Sequence, residues 1–131
     1  SLRWFQAALL EGGVDAFLKY WIALETLAMP NTSDVRPVHE TLRRIYNITY
    51  QEACERFLVG RISGLRNHIV HDGLQPRIDP RLESYLTAIY LDILFDSLGV
   101  PPEYRTAREM ACPEFNLLAY LPSSKRRPGD R

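Results

Sequence analysis

The sequence predicts an all-α protein: a bundle of four to five helices with an irregular Pro-rich segment at the C-terminal end. Two observations support this prediction. Along most of the first 100 residues, apolar residues recur at spacings of three and four, which corresponds to one face of an α-helix. The periodic stretches are separated by breaks rich in Gly, Pro and Asn, and no stretch has the alternating pattern and turn of a strand hairpin.

Apolar periodicity and end signals place the helices individually. Gly12-Gly13 ends a first short helix, and Pro30 ends a second one that is rich in bulky apolar residues. Thr49, with Glu52 three residues later, has the capping-box pattern that starts a long fourth helix. The fifth helix is apolar almost all round and should therefore be central. The expected ranges, in chain order, are about 1–11, 14–29, 36–46, 50–72 and 80–98.

The predicted organisation is one domain followed by an extension. Residues 1–100 form the helical bundle, and residues 101–131 form a partly ordered C-terminal extension whose tail is expected to be disordered. Pro recurs through the extension, at positions 101, 102, 113, 122 and 128. The chain begins with Ser1 rather than Met and enters an apolar helix at once, which suggests a piece of a longer polypeptide.

Composition narrows the classes of function. The formal net charge is zero, so the overall field does not attract nucleic acid and any RNA contact must be local. No apolar run approaches the roughly 20 residues that span a bilayer, and no secretory leader is visible, so we expect a soluble cytoplasmic protein with no membrane partner. Cys54 and Cys112 form neither a disulfide framework nor a zinc-ligand pattern, and Cys54 is expected to be buried. Neither a phosphate-binding loop nor a metal constellation occurs, so no cofactor and no metal are expected.

The most informative stretch runs from Arg66 to Gly73 and places Arg66, Asn67 and His71 within six residues. Imidazole can both accept and donate a proton near neutral pH, and a guanidinium offers a permanent planar fork to phosphate oxygens. This combination suits acid–base chemistry on a phosphodiester. The spacing alone has low specificity, because the chain contains 16 Lys and Arg residues and three His residues.

The position of this motif on the predicted fourth helix indicates which way its side chains point. At about 100° per residue, Asn67 and His71 lie opposite the apolar stripe, on the same side as Ala53, Gly60 and Gly64. The stripe is formed by Cys54, Leu58, Ile62, Leu65 and Ile69. Two glycines inside a helix cost about 1 kcal/mol each, which favours close packing against this face. The neighbour is another helix of the chain, the same helix of a second subunit, or one of the side chains Trp21 and Tyr20.

Two motifs together resemble the HEPN domain family, an all-helical nucleotide- and RNA-related family, and in particular its Apea-like branch. The first is Trp21-Ile22-Ala23-Leu24-Glu25, which is similar to the family's aromatic W-x-A-L-E helix. The second is Arg66-Asn67-His68-Ile69-Val70-His71, which is similar to its signature of Arg, a polar residue and a His four to six residues on. The resemblance covers about residues 1–100. It implies a bundle that dimerises with the signature at the subunit interface, and in active members a metal-independent endoribonuclease.

The resemblance also implies a role for each site residue. Arg66 would hold the scissile phosphate and stabilise the charge that builds in the transition state. His71 would act as base on the ribose 2′-OH or as acid on the 5′-leaving oxygen, giving a 2′,3′-cyclic phosphate. Asn67 would orient the phosphate or the imidazole by hydrogen bonding. Glu25 would fix Arg66 or the His tautomer, and the alternative for Glu25 is an ordinary buried ion pair.

The remaining His and basic residues are weaker candidates for the functional site. His68 is expected at the boundary of the core, and His39 in solvent. Arg56 and Arg61 are weak candidates for RNA contacts. The same holds for the basic groups Arg43, Arg44 and Lys125–Arg127.

Two functions from different classes fit these expectations. The first is a homodimeric endoribonuclease with RNA as its substrate and a dimer seam along Gly60 and Gly64. It would serve as a defence or toxin effector domain, with further domains of the same polypeptide as partners. The second is a non-catalytic HEPN module that dimerises or binds a nucleotide, RNA or a partner protein.

Overall fold

The computed structural model describes residues 1–32 and 34–111, and of Pro102 the backbone alone. The tail predicted to be disordered, Cys112 and Lys125–Arg127 lie outside the described residues. Regular structure in the described residues is entirely helical, which confirms the predicted all-α class. The helices are α1 (Leu2–Leu9), α2 (Gly13–Ala28), α3 (Arg36–Tyr46), α4 (Tyr50–Phe57), α5 (Val59–Asp72), α6 (Pro80–Ser97) and α7 (Ala107–Met110), with a 3-10 turn at Pro102–Tyr104. None of them is both long enough and apolar enough to cross a membrane.

The core is built around α2 and α6. Helix α2 packs against α1 and α6, and helix α3 packs against α4 and α6. Phe17, Trp21 and Leu24 of α2, whose spacings of four and three residues place them on one face of the helix, are all buried. Asp79 caps α6 by accepting a hydrogen bond from the Arg81 N–H at 2.8 Å. Eight of the 18 residues of α6 are buried, which confirms that this helix is central.

The predicted fourth helix is wrong in one respect, because it is broken at Leu58 into α4 and α5. Its start is as expected: Thr49 Oγ1 accepts from the Glu52 N–H at 3.0 Å, and Glu52 Oε1 accepts from the Thr49 N–H at 3.3 Å. Leu58 adopts the left-handed conformation, with φ 57° and ψ 28°. At this break the Phe57 carbonyl accepts a hydrogen bond from the buried Tyr85 hydroxyl at 2.8 Å, which ties the junction to α6.

The break changes which residues of α4 face the core. Ala53 and Phe57 are buried and Cys54 is half-buried, so the expected places of Ala53 on the site face and of Cys54 in the core are both wrong. One left-handed residue interrupts the regular rotation per residue, and positions before and after Leu58 therefore do not share one helical wheel. After the break the prediction holds, since the buried residues of α5 are Val59, Ile62, Leu65 and Ile69.

Residues 101–111 pack onto the bundle through α7, which contacts α6 and α4. Asp92 of α6 is 1% exposed and accepts from the backbone N–H groups of Thr106 at 2.9 Å and Ala107 at 2.8 Å. The Tyr46 hydroxyl also donates to Asp92, and burial together with this carboxylate raises the pKa of Tyr46. One buried carboxylate therefore holds the start of the C-terminal extension against α3 and α6.

His39 is buried rather than solvated, contrary to the expectation from the sequence. Its side chain is 5% exposed, and the Tyr50 ring lies edge-on to it at 5.8 Å between ring centroids. Neither ring nitrogen has a hydrogen-bond partner among the described residues. Burial consequently lowers the pKa of His39, and the Asp34 carboxylate opposes this shift.

We expect His39 to make the folded protein less stable as the pH falls from about 7 to about 5. The lowered pKa keeps the imidazole neutral in the folded state, whereas the unfolded chain binds a proton below the ordinary value of 6.5. This contribution to stability is complete above that ordinary value and is lost as the pH falls towards the folded-state pKa. Urea unfolding at the two pH values should show a smaller loss of stability in His39→Leu than in the parent.

His68→Leu is the matched control for this measurement. His68 is half-buried and its Nδ1 lies 2.8 Å from Asp72 Oδ2, so it is not an unpartnered buried imidazole. We expect His68→Leu to retain the greater part of the parent's loss of stability between the two pH values. Equal losses in the parent and in His39→Leu would contradict the assignment of this loss to His39.

Candidate active site

A polar cleft lies between the C-terminal half of α2 and the helix α5. It encloses about 310 Å³ and is lined by Trp21, Glu25, Ser63, Arg66, Asn67 and His71. Four of these residues, namely Glu25, Arg66, Asn67 and His71, are the ones that the sequence singles out. Tertiary packing therefore brings the acidic residue of α2 into the same cleft as the three polar residues of α5.

The helical repeat of α5 explains how it supplies four of the six lining residues. Ser63, Asn67 and His71 are spaced by four residues, which is about one turn, and Arg66 lies three residues after Ser63. The opposite side of the helix is anchored in the core by Ile62, Leu65 and Ile69. Burial of the apolar side thus fixes the direction in which the polar side chains leave the helix.

The last turn of α5 distinguishes its two histidines. His68 is half-buried, as expected for a boundary position, and its Nδ1 lies 2.8 Å from Asp72 Oδ2. His71 is exposed, lines the cleft and makes no hydrogen bond with any described residue. Gly73, with φ 70°, ends the helix just after His71. An imidazole without an internal partner can exchange a proton with a ligand.

Asn67 holds the Arg66 side chain at the cleft. Arg66 Nη1 donates a hydrogen bond to Asn67 Oδ1 at 3.1 Å. A guanidinium carries five N–H donors, and no other described residue accepts from Arg66. Most of its donors, together with its permanent charge, are therefore available to an anion in the cleft.

Glu25 is half-buried in the same cleft without a cationic partner. Its carboxylate makes no ion pair with Arg66 or with any other described cation, so neither the buried ion pair nor a direct hold on Arg66 is formed. The cleft consequently presents a hydrogen-bond acceptor from α2 opposite the donors of α5. A ligand that carries both a phosphate and hydroxyl or amino donors matches this pairing.

Gly60 and Gly64 lie on an uncovered part of α5. A Cβ atom added at either position would meet no atom within 4 Å in the described part of the chain. No other helix of the described residues fills this space, and neither does the side chain of Trp21 or Tyr20. We call the surface formed by Gly60 and Gly64, which are four residues apart on this helix, the open face of α5.

Ser63 and Trp21 line the cleft although the sequence did not assign them to the site. The spacing of four between Ser63 and Asn67 was an available signal for Ser63. Trp21 is 2% exposed and its spacing predicts only a core residue, so its contact with the cleft is visible only in the fold. Arg56 and Arg61, at the end of α4 and the start of α5, do not line the cleft.

The cleft combines a fixed cation, an amide, a hydroxyl, a carboxylate and an imidazole. The described part of the chain contains no group of three or more His, Cys, Asp or Glu side chains that could hold a metal ion. Fold and cleft together define an all-α protein whose polar site is equipped for acid–base chemistry or for binding an anion. Comparison with protein-family models, with curated proteins and with solved structures finds no match for this chain.

Proposed function

We propose that this chain is a HEPN-type, metal-independent endoribonuclease domain. The observation that carries the proposal is the convergence of Arg66, Asn67 and His71 in one cleft, where the cation and the imidazole are both available to a ligand. Cleavage of a phosphodiester requires stabilisation of negative charge and the transfer of protons, and these side chains supply both. As the family resemblance implies, the domain would act as a defence or toxin effector joined to further domains, and we propose the cytoplasm as its location.

In the proposed reaction the ribose 2′-oxygen attacks the adjacent phosphorus atom, and the bond from phosphorus to the 5′-oxygen of the next nucleotide breaks. His71 accepts the 2′-hydroxyl proton or donates a proton to the leaving 5′-oxygen. Arg66 donates hydrogen bonds to the non-bridging oxygens, where negative charge increases, and Asn67 keeps the guanidinium in place. The products are a 2′,3′-cyclic phosphate and a 5′-hydroxyl, and no co-reactant is consumed.

A second copy of the chain is the proposed partner. The open face of α5 has two glycines with free space above them in the described part of the chain, so the same face of another protomer can approach closely. A two-fold axis through this face would bring the two His71 side chains to one shared cleft. One imidazole would then act as the base and the other as the acid.

Incubation with labelled single-stranded RNA in the presence of EDTA tests the proposed activity. We expect cleavage to persist with the chelator and the upstream fragments to end in a 2′,3′-cyclic phosphate. An RNA with 2′-deoxyribose at the cleavage positions should resist, because the nucleophilic hydroxyl is missing. Cleavage of that substituted RNA, or no cleavage of the unmodified RNA, would overturn the proposal.

A non-catalytic module is the second candidate, and one observation favours it. The open face of α5 leaves free space above two glycines, and Val70 on another side of the same helix is an exposed apolar residue, so α5 can contact a partner without any chemistry in the cleft. Such a module would dimerise or bind a nucleotide, RNA or a partner protein. A dimer that binds the labelled RNA and releases it intact would support this second function over the first.

A further inference from the structure

The Ser63 hydroxyl is available to a ligand. Ser63 is half-buried, lines the cleft and makes no hydrogen bond with any described residue. Four other helical hydroxyls, those of Thr26, Thr41, Thr87 and Ser97, donate to a carbonyl of the preceding turn at 2.6–3.0 Å, whereas the hydroxyl of Ser63 does not. The Ser63 hydroxyl is therefore a donor that the helix itself does not use.

The position of Ser63 relative to Arg66 suits a shared anion. Ser63 precedes Arg66 by three residues and Asn67 by four, so these side chains are neighbours on one helical surface. Cβ atoms at this spacing lie about 5–6 Å apart, a separation that a single phosphate group can bridge. Serine hydroxyls and arginine guanidinium groups both donate to phosphate oxygens in proteins that bind nucleic acid.

We propose that Ser63 is a substrate-positioning residue whose hydroxyl donates to a non-bridging oxygen of the phosphate held by Arg66. The substrate named here, RNA, rests on the proposed function, whereas the contact itself needs only a phosphate group. The hydroxyl contacts an oxygen that neither forms nor breaks a bond in the reaction. Loss of this contact therefore weakens substrate binding more than it slows the chemical step.

Tryptophan fluorescence can report binding in the cleft without any cleavage. The chain has two Trp residues, and Trp4 does not line the cleft, so a Trp4→Phe background leaves Trp21 as the reporter. The probes are a short oligodeoxynucleotide, which carries phosphates but lacks the 2′-hydroxyl, and inorganic phosphate. We expect Ser63→Ala to raise the Kd for the oligodeoxynucleotide about tenfold, the range for loss of one hydrogen bond to a charged group.

Two further variants distinguish the effect of losing the hydroxyl from the general effects of a mutation. Ser63→Thr keeps the hydroxyl, and its Kd should stay within about threefold of the parent. Ser84→Ala is the matched control, because Ser84 is an exposed serine inside α6 that does not line the cleft, and it should leave the Kd unchanged. With cleavable RNA, Ser63→Ala should raise KM while kcat changes by less than about threefold.

The outcomes distinguish failure of this assignment from failure of the proposed activity. If Ser63→Ala binds the oligodeoxynucleotide as tightly as the parent, the assignment of Ser63 is wrong even when RNA is cut. If the parent binds the probe, Ser63→Ala binds it less well and RNA stays intact, the assignment stands and the ribonuclease proposal fails. A parent that binds neither probe overturns the assignment.

Discussion

His71→Ala should abolish RNA cleavage while the fold and the thermal stability stay unchanged. Removal of a general acid or base typically lowers the rate by about 10²–10⁴-fold. His71 is exposed and makes no hydrogen bond with any described residue, so its truncation leaves no buried polar group without a partner. Cleavage rates at saturating RNA, measured beside the Tm of the same preparation, separate lost chemistry from lost structure.

His68→Ala is the control for this loss. It removes the same type of side chain from the same helix, but at a half-buried position where Asp72 already engages the ring at 2.8 Å. We expect its cleavage rate to stay within about threefold of the parent, the scale of small indirect effects on the site. A His71→Ala variant that cuts RNA at the parent rate would remove His71 from the mechanism. Equal losses in the two variants would indicate a general effect on α5 and not a role in proton transfer.

Gly64→Leu should convert a dimer into a monomer without unfolding the chain. In the described part of the chain a Cβ added at this position would meet no atom within 4 Å, so the new side chain would start in open space. Replacing a helical glycine by leucine favours the helix by up to about 1 kcal/mol, so the monomer should be at least as stable as the parent chain. In a close-packed dimer the same side chain would occupy the space that the second protomer needs.

Light scattering at tens of micromolar and below measures this change in mass. The control is Gly12→Leu, which adds the same side chain just before α2, whose first residue, Gly13, lies about 18 Å along the helix from the cleft residue Glu25. Gly12 also has free space around it, so this variant should remain dimeric. A parent that is monomeric at these concentrations would refute the dimer. A Gly64→Leu dimer as tight as the parent's would place the interface elsewhere.

The helix ends were predictable because the signals that set them are local. The capping box at Thr49 and Glu52, the Asp79 cap of α6 and the glycine after Asp72 each act within a few residues of the helix end. The polar face of α5 was predictable for a similar reason. Residues four apart on one unbroken helix lie on the same side regardless of the surrounding fold.

The break at Leu58 and the burial of His39 were not predictable, because distant residues decide both. Leucine favours a helix, and no residue near Leu58 signals a left-handed conformation. The junction is stabilised instead by contacts distant in sequence, since Tyr85 donates to the Phe57 carbonyl and Tyr46 stacks on the Phe57 ring at 5.3 Å. His39 lies in a polar segment of sequence, yet packing of α3 against α4 removes it from water.

The sequence by itself determined the all-α class, most helix boundaries and the alignment of Asn67 and His71 on one face of a helix. These properties follow from side-chain periodicity and capping, whose range is a single turn. Only the tertiary structure decided that Glu25 and Trp21 share a cleft with Arg66, that Ser63 faces the same space and that Gly60 and Gly64 lie uncovered. These features depend on the relative position of α2 and α5. Packing of the whole core sets that position, and no local sequence pattern predicts it.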